Sequence, residues 1–286
     1  MIERSRSVLS MHLDFTASFI FVADRSWIWL AAYCFVLASA YSGYTLFAGK
    51  FMAPRLTFGL VAAGFVCQTI FLAVRGHEVG RCPITNFFEL LTFLSWSMIL
   101  IYLVIGSSYR LSLLGVFTTP FAGVLSIWAL LQPESEAVPV KHPVNPWLEA
   151  HTSFSIVACG AFALAGLAGL MYLIQERQLK TRRPSSVFFR LPPIRTLVVA
   201  NSRLLWLGFG LFTIGLATGF MIGQDVDWRK VAWSLVVWAL YGGILLARIR
   251  RSMATRWVAT LSIIVFGLLL SMFWGIRFIS EVSPVR

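Results

Sequence analysis

Long apolar runs without charge return about eight times along this chain of 286 residues, separated by short polar stretches. That recurrence constrains the fold more than any other feature. A membrane-spanning helix uses roughly 20 consecutive apolar residues. The runs place helices over about 27–49, 56–74, 87–106, 111–132, 147–174, 204–223, 231–247 and 257–276. Charged residues make up only 13% of the chain, about half of the roughly 25% carried by a soluble domain. Soluble folds are excluded. The expected fold is all-α, a polytopic bundle of about eight transmembrane helices.

Two helix starts carry their own signals. Asn86 and Glu89 have the spacing of a capping box. Asn145 puts a capping side chain before Pro146 at a first helical position. The longest polar stretch, 175–203, contains Pro184, Pro192 and Pro193 and divides five helices from three. Residues 1–26 read as a retained N-terminal tail, since His12 and Asp14 interrupt any signal-peptide core. Residues 27–280 read as one transmembrane domain and 281–286 as a C-terminal tail. The four cysteines have neither disulfide-framework nor zinc-site spacing.

Charge sets the orientation. Loops after the first, third, fifth and seventh helices hold 14 basic residues against one acid, Glu176; the other side holds 10 basic and 11 acidic residues. Basic loops stay in the cytoplasm, so both termini are expected outside. The net charge of +12 then faces anionic membrane lipids and requires no nucleic acid.

The unusual side chains gather on the outer side. His151 lies six residues into its helix, about 9 Å below the start at 1.5 Å per residue. At that depth it is either a functional group facing a wet cavity or an interfacial histidine bonded across helices. His77 lies in or beside a short loop, where a solvated histidine is ordinary. Cys82, the cysteine outside the apolar spans, precedes Pro83. Such a pair can present a thiolate to heme iron or simply make a turn. Seven of eleven tryptophans fall at this face, among them Trp228 and Trp233. They form an interfacial belt or a stacking platform for a flat macrocycle. Gly215 to Gly219 fits a small-residue packing face. Phosphate-binding loops and hydrolase triads are absent. Membrane-depth charges are absent too, which argues against an ion-coupled transporter or proton pump.

Four stretches together resemble the cytochrome c assembly family of heme-handling membrane proteins, of the CcsA/HemX type. They are RGHEVGRCPITNFFE (75–89), NPWLEAHTSFSIVACGAFALAGLAGLMYLIQERQLK (145–180), LPPIRTLVVANSRLLWLGFGLFTIGLATG (191–219) and KVAWSLVVWALYGGILLAR (230–248). In the family helix similar to the second stretch, an external heme-ligating histidine falls on His151. The tryptophan-rich, Asp-terminated family loop is reduced here to GQDVDWRK. Leu246 stands where the family has a cytoplasmic-side histidine, and no histidine follows the last helix. This pattern is similar to the smaller HemX/YpjD-like branch.

The resemblance implies a non-enzymatic, plasma (inner) membrane assembly factor working with other cytochrome c maturation proteins. Heme would be its cargo: His151 would ligate iron, His77 would line the route or make a second contact, and Trp228 and Trp233 would flank the ring. Cys82 is the weaker ligand candidate. A cofactor-free scaffolding or regulatory protein and a b-type heme electron-transfer subunit stay open as alternatives. The orientation is testable with Ser185→Cys and Ser283→Cys. In intact cells an impermeant thiol reagent should label the second and spare the first, and the opposite pattern would invert the topology.

Overall fold

In the computed structural model, residues 24–48, 54–84, 86–109, 112–132, 145–181, 193–223 and 228–282 are described. They form eight helices: α1 (Asp24–Ala48), α2 (Pro54–Val79), α3 (Phe87–Tyr109), α4 (Ser112–Leu130), α5 (Pro146–Lys180), α6 (Ile194–Phe220), α7 (Trp228–Ile249) and α8 (Thr255–Val282). There is no strand among the described residues. Six helices are long and apolar enough to cross a membrane; α4 and α8 carry shorter apolar stretches, Gly115–Leu130 and Thr255–Ser271. The chain is a polytopic helical membrane protein.

Several boundaries differ from expectation. α5 runs to Lys180 and α6 starts at Ile194 after Pro193. Much of the polar stretch 175–203 is therefore helical, because Gln, Glu, Arg and Lys are good helix formers even without an apolar face. α2 continues through His77 to Val79 and stops at Gly80, whose φ of 69° suits glycine. α1 begins at Asp24, inside the segment expected to be tail, and α8 runs to Val282 rather than stopping near 276. Residues 1–23 lie outside the described residues.

The bundle is organised around α5. Lipid gives no hydrophobic drive between helices, so association depends on close packing and polar contacts. The middle of α5 is accordingly built from small buried residues, including Ala158, Gly160, Ala161, Ala165, Ala168 and Gly169. A β-carbon on Gly160 would stand 2.8 Å from the Met98 backbone nitrogen of α3, and one on Gly169 3.0 Å from the Ala259 carbonyl of α8. Toward α6 and α7 the contact is aromatic. Phe162 stacks on Tyr241 with ring centroids 3.7 Å apart and fits against Gly208. Polar side chains tie the remaining seams: Gln68 donates to Ser95 and Ser126 across α2, α3 and α4, and Asn201 donates to Ala165 O and Ser262 across α6, α5 and α8.

The glycines in these seams should differ sharply in tolerance. Gly160→Ala forces a methyl group onto α3 and should destabilise by about 1–3 kcal/mol. A β-carbon at Gly210 meets nothing within 4 Å, so Gly210→Ala should be neutral or stabilising by up to about 1 kcal/mol. Thermal unfolding of the detergent-solubilised chain measures both.

Candidate functional site

One end of the bundle holds a buried ion pair and two capped helix starts, and it is the end expected to lie outside. Asn145 opens α5: its Oδ1 accepts from Trp147 N at 3.0 Å, and its Nδ2 donates to Ile222 O, beyond the end of α6, at 3.1 Å. Asn86 caps α3 by accepting from Glu89 N at 2.8 Å. Both helix starts expected from the sequence are therefore capped by the expected side chains.

Around these caps the loop between α2 and α3 is held from two sides. Arg75 is 8% and Glu89 0% exposed, and Arg75 Nε donates to Glu89 Oε1 at 2.7 Å. A charge this deep is tolerable only when paired. Cys82 N donates to Glu149 Oε2 at 2.6 Å, which docks the loop on the first turns of α5. Cys82 Sγ lies 3.6 Å from Ser153 Oγ. Burial pushes the Cys82 thiol up; the Ser153 contact offsets this in part, while the Glu149 and Glu89 carboxylates add to it. A thiol held protonated is a poor nucleophile and a poor metal ligand.

His151 turns the other way. It is two positions past Glu149, about 200° around the helix at 3.6 residues per turn, and so faces α6. Its Nδ1 lies 2.6 Å from Gly215 O. A carbonyl only accepts, so Nδ1 carries the proton. Nε2 has no partner among the described residues and is not enclosed by them, which leaves it as the open ring nitrogen. Two glycines make this approach feasible: a β-carbon at Gly219 would stand 2.7 Å from His151 Nδ1, and one at Gly215 2.8 Å from Ser155 Oγ. Ser155 Oγ, one turn below His151, is buried and has no hydrogen-bond partner among the described residues. The site thus offers one open imidazole nitrogen, with the Ser155 hydroxyl enclosed one turn below it. An open imidazole nitrogen of this kind can serve a metal centre such as heme iron as one axial ligand.

The other expected site residues are more scattered. His77 is exposed in the last turn of α2. The loop that follows it reaches the Glu149–Ser153 side of α5, not the side bearing His151. Trp228 is 76% and Trp233 37% exposed at the start of α7. They lie five residues apart, about 140° around the helix, and so on different faces. Residues 224–227 of the shortened loop lie outside the described residues. Sequence reasoning missed the Gly215 carbonyl, the Glu149–Cys82 bond and the Asn145–Ile222 bond. Each joins positions more than 60 residues apart, for which a single sequence has no signal. Only the Gly215–Gly219 spacing hinted that something packs closely there.

A family model described as Cytochrome C assembly protein matches residues 84–283. Protein HemX of Brevibacillus brevis is 29% identical over 62% of this chain and 65% of its own length. A Cytochrome c biogenesis protein CcsA, from Trichormus variabilis, is 32% identical over 42% of this chain and 35% of its own. Another protein of that name, from Synechococcus elongatus, is 25% identical over 80% and 86%. The chain spans about two thirds of the HemX relative and about one third of the Trichormus relative.

The buried ion pair makes a prediction for this end of the bundle. Glu89→Leu leaves Arg75 buried without its close partner and should cost about 3–5 kcal/mol. Arg75→Leu combined with Glu89→Leu should recover most of that loss in thermal unfolding. A double variant as unstable as the single one would show that the ion pair is not the source of the cost.

Proposed function

The chain belongs to the cytochrome c assembly protein family, and on that premise we propose that it is an accessory, non-enzymatic heme-handling protein of cytochrome c assembly. Heme is held or guided at the outer face of the plasma (inner) membrane, with both termini outside. The observation that carries this reading is the bond from His151 Nδ1 to Gly215 O at 2.6 Å. Ligating histidines commonly donate their other nitrogen to a carbonyl or carboxylate, which selects the tautomer and raises the basicity of the ligand. His151 has that arrangement before any ligand arrives.

His151 Nε2 is the proposed iron contact. Exposed His77 is a weaker contact on the route, and Trp228 and Trp233 offer aromatic faces at the membrane boundary. One protein nitrogen, with the second axial position left to a weak or exchangeable group, suits a carrier that must release its cargo. Other cytochrome c maturation proteins of the membrane are the proposed partners. Residues 75–89, held by two charged contacts, supply a firm outer surface for them.

The test is heme retention by the purified chain. His151→Ala should lose most of the heme, whereas Cys82→Ala should retain nearly all of it, because the Cys82 thiol is held protonated. Retention that survives in the His151 variant and is lost in the Cys82 variant would reverse the assignment. A wild-type chain that takes up no heme would favour the cofactor-free scaffold instead.

A further inference from the structure

A cleft of about 400 Å³ opens between α4, α5 and α8, at membrane depth and away from His151. Its walls include Phe117, Pro120 and Val124 of α4, Gly166 and Leu170 of α5, and Ile263 of α8. The volume lies within the roughly 300–1,000 Å³ of small-molecule sites. An apolar lining of this kind does not hold water, so the occupant is apolar where it meets the walls.

The same helix stripes end in charge. Leu170 and Arg177 are seven residues apart on α5, and Ile263 and Arg256 are seven apart on α8. A spacing of seven returns to nearly the same face, about 10 Å along the axis. α5 and α8 run antiparallel, since Gly166 meets Ile263 and Gly169 meets Ala259. Both arginines therefore lie below the same mouth of the cleft, at the basic end of the bundle. Both are exposed, and neither forms an ion pair among the described residues, whereas neighbouring Lys180 is paired with Glu176 at 2.7 Å. Basic pockets between transmembrane helices bind acidic lipid headgroups.

We propose that this cleft is a binding site for an anionic phospholipid, with one acyl chain between α4 and α8 and the headgroup at Arg177 and Arg256. The apolar cleft alone would accept any acyl chain; the two unpaired arginines select the acidic headgroup. The lipid would fill the gap that α4 leaves beside α5 and α8, and would brace α8 against the core.

Native mass spectrometry of the full chain tests this, with phosphatidylglycerol and phosphatidylcholine of identical chains supplied in equal amounts. With about 1 kcal/mol per basic residue near an anionic surface, the wild type should retain phosphatidylglycerol over phosphatidylcholine by roughly ten- to thirty-fold. R177Q/R256Q alters two exposed side chains and should abolish the preference. Val124→Trp fills the cleft from a wall residue that is 60% exposed, and should lower retention of both lipids. Equal retention by the wild type, a preference that survives R177Q/R256Q, or retention unchanged by Val124→Trp would overturn the proposal. So would a retained heme or polypeptide displaced by Val124→Trp.

Discussion

Close approach of α5 to its neighbours is the constraint on which the bundle and its candidate site both depend. Without a hydrophobic drive between helices in lipid, contact distance decides which helices associate. Small residues along α5 and α6 bring backbone to within reach of side chains. The Gly215 carbonyl is available to His151 because neither Gly215 nor Gly219 carries a β-carbon. The packing that stabilises the α5–α6 pair therefore also selects the imidazole tautomer.

The buried charges among the described residues lie at one end. Arg75 and Glu89 are buried together. Arg25, at the start of α1, donates to Leu130 O and Gln132 O at the end of α4 and lies 5.1 Å from the Phe88 ring centroid. A cation at a helix C-terminus meets carbonyls that lack intrahelical partners. With the Cys82–Glu149 and Asn145–Ile222 bonds, these contacts join α1 to α6 at one end of the bundle. The opposite end carries Arg177, Arg248 and Arg256, and basic side chains there are attracted to anionic lipid headgroups.

Much of this was legible in the sequence because membrane helices announce themselves by length and lack of charge. The eight helices, the Asn86 and Asn145 caps and the tight packing at Gly215–Gly219 all followed from local pattern. Helix ends were less legible: α5 and α6 extend as polar helices beyond their apolar runs, where hydropathy carries no signal. The site itself was only half visible. His151 stood out by depth, but its partner is a backbone carbonyl, and backbone groups leave no mark in a sequence. Glu149 lies in the first turn of α5, where its carboxylate accepts from the backbone of Cys82, 67 residues away in sequence. His77, expected in or beside a short loop, lies beside it, in the last turn of α2.

The proposed function rests on one nitrogen, His151 Nε2, near the start of α5, on a ring whose Nδ1 is bonded to Gly215 O. The central claim is that this nitrogen, presented by a ring anchored on Gly215, is the main protein ligand to heme iron, with the second axial position open to exchange. Imidazole titration of heme-loaded chain, in the wild type and in His151→Gly, tests it most directly. The account predicts that added imidazole shifts the wild-type spectrum and restores heme binding to His151→Gly. A low-spin bis-histidine spectrum indifferent to imidazole, or heme binding by His151→Gly that needs no imidazole, would contradict it.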